Sequence, residues 1–252
     1  MPYAITPDKV KLYYEEVGQG TPILFVHEFA SDHRGWEPQM REFGKRYRCI
    51  AYSARGYTPS DVPDDPAAYS YKHVMRDAIA VLDHLKIESA HFIGLSMGGY
   101  TSLQAALNFP KRVRSLVLAG TGSGSERWYT EEFHRHSREL GDLFESKGAA
   151  YVAETYGMGP SRVPFLLKDP RGFEEFRKRL AEHDAKGSAL TSRGFRARGH
   201  RFTISTPSSP SLRRRRSSWS AMRTSVASSR RFSSRMRYQL PAWSCCRRPD
   251  TW

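Results

Sequence analysis

Residues 90–99 read AHFIGLSMGG, and this stretch decides the fold. Ala90 to Gly94 is a short apolar run, which is typical of a strand buried on both faces of a parallel sheet. Gly98 to Phe109 is rich in Ala and Leu and stops before Pro110, as a helix does. The stretch therefore predicts a strand followed at once by a helix, with a tight turn around Ser96 between them.

A serine in such a turn can act as a nucleophile. Gly94 and Gly98 lie two positions from Ser96 on either side, and Gly99 follows. A turn this tight strains the central residue and leaves no room for side chains at the flanking positions. The Ser96 hydroxyl would then be exposed at the carboxyl edge of the sheet, above a helix N-terminus that favours negative charge. The pattern indicates a nucleophile elbow, and the alternative is a glycine-rich turn with an incidental serine.

Apolar runs on both sides of this stretch predict the rest of an α/β sheet. The predicted strands are Val10 to Val17, Pro22 to Val26, Tyr47 to Tyr52 and Val113 to Ala119, and a helix is predicted from Tyr71 to Leu85. Because strands alternate with helices, we expect an α/β fold with a mostly parallel sheet and flanking helices. Residues 1–120 would form this core.

A helical segment without strands follows Gly120. Its predicted helices are Glu131 to Lys147, Ala149 to Tyr156 and Phe173 to Lys186, all charged and amphipathic. We interpret residues 121–192 as a helical cap over the strand ends.

The positive charge of the chain belongs to its last part. The net charge is +14, but residues 193–252 hold 15 Arg, 13 Ser, no Lys and one acidic residue, so residues 1–192 are neutral. Few large apolar residues occur in the tail, which predicts that it does not pack as a domain.

Two hypotheses account for this tail. An abrupt change near Arg193 to Arg, Ser and Pro is what a GC-rich coding sequence gives when it is read out of frame, and we favour such a frameshift. The rival is a genuine basic, disordered segment that binds RNA or DNA phosphates, for which the run Arg213 to Arg216 would be suited. Nucleic acid is therefore a partner only if the tail is genuine.

Polar residues follow two other strands at the same sheet edge. His27, Glu28 and Phe29 come directly after the strand that ends at Val26, and the loop containing Arg55 follows the next strand. Backbone amides of the first loop would face a carbonyl attacked by Ser96. We therefore expect the amides of Phe29 and Met97 to form an oxyanion hole, with His27, Glu28 and Arg55 near the site.

Together these motifs resemble the α/β-hydrolase superfamily, in particular its serine esterase and lactonase-like branch. The matching residues are Val26-His27-x-Phe29, Arg55-Gly56-x-x-x-Ser60, Gly94-x-Ser96-x-Gly98-Gly99 and Phe109-Pro110, in the expected order over residues 1 to about 192. The resemblance implies a cap domain, no cofactor, and hydrolysis of a small-molecule carboxylic ester or lactone through an acyl-enzyme.

Two positions qualify that resemblance. Glu28 stands where the family usually has Gly, so either it turns away and pairs with a neighbour such as Arg34 or Arg55, or it has a catalytic task. Ser96 rather than Asp argues against haloalkane dehalogenase and epoxide hydrolase chemistry, which uses a carboxylate nucleophile.

The family also implies an acid and then a histidine after the nucleophile, and neither has a counterpart. The one acidic residue of the tail is Asp250 and its one histidine is His200, so the histidine precedes the acid, and no predicted strand carries either of them. We interpret the cap histidines His134, His136 and His183 as surface residues. The fold is thus expected to be incomplete at its C-terminus and the chain to lack its base. The alternative function is a non-catalytic hydrolase-like scaffold, whose basic tail would bind nucleic acid.

The remaining sequence features favour a cytoplasmic protein. Cys49 stands alone and Cys245 adjoins Cys246, which excludes a disulfide framework or a zinc site on spacing, so no metal is expected. The N-terminal residues lack a basic and an apolar targeting region, and no apolar run is long enough to span a membrane.

Overall fold

A computed structural model describes residues 2–125 and 128–198 of the chain. Six strands form one sheet in the order β1-β2-β4-β3-β5-β6. The strands are β1 (Tyr3–Ile5), β2 (Lys11–Val17), β3 (Pro22–Val26), β4 (Arg48–Tyr52), β5 (Ala90–Leu95) and β6 (Val113–Ala119). The first three in spatial order pair antiparallel and the last four pair parallel, which confirms the predicted mostly parallel sheet.

Three helices flank the sheet: α1 (Glu37–Phe43), α2 (Tyr71–His84) and α3 (Met97–Asn108). Side chains of α2 and α3 pack with Leu24, Ile50 and Phe92 on one face of the sheet. On the other face, Trp36 and Met40 pack against Phe25. Since alternate residues of the central strands point to opposite faces and both are covered, these strands read as continuous apolar runs in the sequence.

Beyond residue 129, the described residues that follow β6 form helices joined by short turns, with no strand among them. This helical segment contains α4 (Thr130–Thr155), α5 (Val163–Lys168), α6 (Pro170–Ala181) and α7 (Ala185–Thr191), with short 3-10 turns at Tyr156–Met158 and Pro160–Arg162. A kink at Gly148, with a φ of 81°, divides α4 where the sequence predicts two helices. The predicted helix from Phe173 to Lys186 is wrong at its end, because Asp184 caps a new helix by accepting from the Gly187 amide.

The described helical packing continues beyond the predicted boundary between residues 192 and 193. Ser192–Arg196 forms a π-helical turn that extends α7, and Phe195 within it is buried. Arg193 pairs with Asp142 and Glu145 on α4. Residues 199–252 lie outside the described part, so the frameshift and the nucleic-acid hypotheses both stay predictions.

The β6 edge of the sheet is open within residues 2–125 and 128–198. There β6 pairs only with β5, and Val117, in register with Ile93, is 52% exposed. An unpaired strand with an exposed apolar side chain favours aggregation. No helix of the described residues has the length and apolar character needed to cross a membrane.

Candidate active site

Ser96 occupies a strained turn between β5 and α3. Its backbone has φ 50° and ψ −111°, a conformation that costs a non-glycine residue roughly 1–3 kcal/mol. The Ser96 amide donates to the Ala119 carbonyl at 2.8 Å, which ties the turn to the end of β6. The side chain is half-buried.

Close backbone approaches explain the glycines around this turn. A Cβ on Gly94 would lie 2.6 Å from the Gly99 nitrogen, and one on Gly98 would lie 2.6 Å from the His27 carbonyl oxygen. A Cβ on Gly99 would collide with the Thr121 side chain. The turn therefore packs directly against the loop after β3, and only glycine fits at these positions.

The loop after β3 lies beside the Ser96 turn at the same sheet edge. Val26 pairs in register with Gly94, so the residues that follow the two strands are neighbours. The side chain of Phe29 is buried, and its carbonyl accepts from the Tyr57 hydroxyl at 2.9 Å. Among the described residues, no protein acceptor takes the amide of Phe29 or of Met97, the first residue of α3. Neither predicted oxyanion donor is thus used by a described residue.

His27 holds this loop in place. Its Nε2 accepts from the Ala54 amide at 3.0 Å, and its Nδ1 lies 2.7 Å from the Glu28 carbonyl oxygen, to which it donates. Burial lowers the pKa of His27, which keeps the ring neutral. Since both nitrogens are engaged, His27 orients the loop and is not free to take a proton from Ser96.

Glu28 pairs with a residue of the helical segment. Its two carboxylate oxygens each accept from the Arg162 guanidinium at 3.1 Å. Only 14% of the Arg162 side chain and 16% of the Glu28 side chain are exposed. The expectation that Glu28 pairs with Arg34 or Arg55 is wrong, because Arg34 binds Asp32 and Glu182. The carboxylate is turned toward the helical segment and neutralised there.

Arg55, which the sequence predicts near the site, is engaged in a buried ion-pair network. Its buried guanidinium binds Asp77 on α2 and Asp8 in the N-terminal hairpin, and it donates to the Ala68 carbonyl. Pairing with Arg55 lowers the pKa of Asp8 to about 2, whereas burial raises that of Asp77 to about 6. This network fixes the hairpin, the loop after β4 and α2 to one another.

His183 is buried, which contradicts its interpretation as a surface residue. Its ring packs edge-on against Tyr57 with centroids 5.3 Å apart, and neither nitrogen has a hydrogen-bond partner among the described residues. Burial lowers the pKa of His183 to about 4. His136, by contrast, is exposed as expected. No described histidine or carboxylate hydrogen-bonds the Ser96 hydroxyl.

Three residues near the site were missed in the sequence: Tyr57, Arg162 and His183. No local pattern in the sequence indicates that Tyr57 packs on Phe29 or that His183 packs on Tyr57. Arg162 lies 134 residues from Glu28 in the sequence. Within the described ranges, no group of three or more His, Cys, Asp or Glu could hold a metal ion.

Comparison with known proteins places these features in one family. A family model described as the alpha/beta hydrolase fold matches residues 21–221. The 3-oxoadipate enol-lactonase 2 of Acinetobacter baylyi is 28% identical over 190 residues, which cover 73% of this chain and 67% of that protein.

Two further comparisons agree with this match. An epoxide hydrolase of Caballeronia sordidicola is 36% identical over 115 residues, covering 45% of this chain and 35% of that protein. The solved structure of a thermophilic esterase from Thermogutta terrifontis has a TM-score of 0.68 at 24% identity, covering 78% of this chain and 72% of that one. At this identity the esterase shows a shared fold.

Proposed function

The chain belongs to the α/β-hydrolase family, and we propose that it is a serine hydrolase of small-molecule carboxylic esters or lactones. Ser96 would be the nucleophile, and the amides of Phe29 and Met97 would be the oxyanion donors. The reaction would be acyl transfer through a covalent acyl-enzyme.

One observation carries the proposal. A serine with φ 50° stands at the end of a buried parallel strand, next to two backbone amides that no described protein acceptor takes. A strained conformation of this kind persists only when surrounding structure enforces it, and such residues concentrate at functional sites. Here the surrounding glycines and the Val26 backbone enforce it.

The names of the relatives support an acyl substrate. An enol-lactonase is similar over most of this chain, whereas the epoxide hydrolase is similar over less than half of it. An epoxide hydrolase of this fold needs a carboxylate nucleophile, and position 96 holds a serine. A lactone or ester carbonyl is therefore the better target for Ser96.

In the proposed reaction the Ser96 oxygen attacks the carbonyl carbon, and the two amides hold the negative oxygen that forms. The intermediate then collapses as the C–O bond to the alcohol part breaks, and the alkoxide leaves and takes a proton from water; the alkoxide of a lactone stays attached through the acyl chain. Water hydrolyses the acyl-enzyme to the acid and restores the Ser96 hydroxyl. No described histidine hydrogen-bonds the Ser96 hydroxyl; with solvent or buffer as the base, we expect slow turnover. Serine hydrolases that lack a triad member keep roughly 10³–10⁴-fold of catalysis over water from the oxyanion hole and binding.

Hydrolysis of p-nitrophenyl acetate by the full chain and by Ser96→Ala tests this function. We expect a Ser96-dependent rate above background that rises further with added imidazole, which supplies a base. A fluorophosphonate should label the peptide that contains Ser96. Equal rates for the two proteins with and without imidazole, together with no label on Ser96, would refute the proposal.

A further inference from the structure

Two arginines from the helical segment approach one aromatic ring beside the oxyanion loop. The guanidinium carbons of Arg162 and Arg196 each lie 5.8 Å from the ring centroid of Tyr156. Arg162 has a counterion, since both of its terminal nitrogens donate to Glu28. Arg196 forms no ion pair with any described residue, and its Nη1 is buried without a hydrogen-bond partner.

The surroundings of Arg196 are aromatic. Its guanidinium carbon lies 4.4 Å from the ring centroid of Phe29 and 5.2 Å from that of Phe133. Cation–π contacts with these rings stabilise the charge, but the rings accept no conventional hydrogen bond from a buried N–H. Leaving such a donor unsatisfied in the folded protein costs free energy, and more so when the group is charged.

The position of Arg196 relates it to the reaction. The residue whose ring it covers is Phe29, and the amide of Phe29 is the proposed oxyanion donor. A group bound to the Arg196 guanidinium would therefore lie beside the Phe29 side chain, next to the proposed oxyanion loop. The planar guanidinium matches a carboxylate, to which it can donate two parallel hydrogen bonds.

We propose that Arg196 is a substrate-binding residue and that the ester or lactone carries a carboxylate, which this guanidinium binds. The inference rests on the proposed function, because it assigns the substrate class of the same site. The two arginines then have different partners: Arg162 binds Glu28, and Arg196 would bind the carboxylate of the ligand.

Equilibrium binding tests the inference without requiring turnover. The probes are hexanoate and its neutral analogue hexanamide, titrated into the full chain by calorimetry at pH 7.5. We expect saturable binding of hexanoate and at least tenfold weaker binding of hexanamide. Arg196→Met, which keeps the apolar stem, should weaken hexanoate binding by at least about tenfold. The affinity of Arg196→Lys for hexanoate should lie between those of the wild type and Arg196→Met, because lysine keeps the charge.

Arg198→Gln is the matched control, since Arg198 is exposed and two residues further along the same segment. It should bind hexanoate as the wild type does. Circular dichroism and thermal melting establish that each variant is folded. If Arg196→Met is not folded, Arg196→Lys is the variant compared with the wild type. Equal binding of hexanoate and hexanamide, or an equal loss in Arg196→Lys and Arg198→Gln, would overturn the inference.

The outcomes separate this inference from the proposed function. If p-nitrophenyl acetate is hydrolysed through Ser96 while hexanoate does not bind, the carboxylate assignment alone is wrong. If hexanoate binds through Arg196 while no ester reacts at Ser96, the guanidinium is an anion site and the serine hydrolase proposal is wrong.

Discussion

The two halves of the candidate site are held in different ways. The Ser96 turn is fixed by backbone contacts among Gly94, Gly98 and the neighbouring strand ends. The loop from His27 to Phe29 is fixed by side chains from distant parts of the chain, including Tyr57 and Arg162. The nucleophile thus depends on steric exclusion, whereas the oxyanion loop depends on hydrogen bonds and one ion pair.

This difference has a consequence for how each half fails. A substitution in the turn meets backbone that has nowhere to move, so it should damage the whole sheet edge. A substitution that frees the loop removes one partner, so it should loosen residues 27–29 and leave the turn intact. The changes below act on one half at a time.

The largest effect is expected from Gly98→Ala. Its new Cβ would meet the backbone of Val26 and His27, and overpacking against backbone should cost more than about 3 kcal/mol of unfolding free energy. Urea unfolding at pH 7.5 measures it. The control is Gly122→Ala, where φ is +127° but a Cβ meets nothing within 4 Å. This variant should lose only about 1 kcal/mol of unfolding free energy, through backbone strain. Similar losses in both variants would contradict the steric account.

Breaking the ion pair of the loop should come next. Arg162→Gln leaves a largely buried Glu28 carboxylate without a counterion, which should cost about 3 kcal/mol. Glu28→Gln/Arg162→Gln together should cost less than the sum of the single changes. Glu139→Gln, which breaks the exposed pair with Arg135, should cost no more than about 0.5 kcal/mol. If the two pairs prove equal in urea unfolding, the Glu28 pair does not stabilise the loop.

The burial of His183 should make the unfolding free energy depend on pH. Its pKa is about 4 in the folded protein against 6.5 for a free histidine, so its contribution to stability is complete above pH 6.5 and is lost as the pH falls toward 4. At pH 5 the loss should be about 2 kcal/mol. Urea unfolding at pH 7.5 and pH 5 should show a larger drop for the wild type than for His183→Gln, which removes only this titration. Equal drops in the two proteins would show that folding does not lower the pKa of His183.

The smallest change is Tyr57→Phe. It deletes one hydrogen bond to the Phe29 carbonyl, worth about 1 kcal/mol. Amide hydrogen exchange should accelerate in residues 27–31 and stay unchanged in residues 94–99. Acceleration in both segments would mean that the two halves of the site are not held separately.

The same difference explains how far the sequence predicts the site. Pro22–Val26 and Val113–Ala119 match their predicted strands, and the break at Gly148 matches the two predicted helices of α4. Those features depend on apolar runs and glycines that are adjacent in the sequence. The partner of Glu28 depends on how the helical segment packs over the sheet edge, and no local pattern encodes it.

The burial of His183 follows the same rule. The helical periodicity predicts a helix through this residue, but Asp184 begins a new helix at that point and turns the ring inward against Tyr57. The packing partners, and not the residue type, decide that the ring is buried.

The most direct test of the account is acyl transfer to a thiol placed at the turn. In Ser96→Cys, p-nitrophenyl acetate should acetylate the new side chain without a base, because a thiolate forms readily near pH 8. The rate, measured by mass spectrometry of the peptides, should exceed that of the exposed control Ser123→Cys by at least tenfold, since two amides stabilise the oxyanion. Equal or slower acetylation at position 96 would contradict the claim that this side chain faces the amides of Phe29 and Met97.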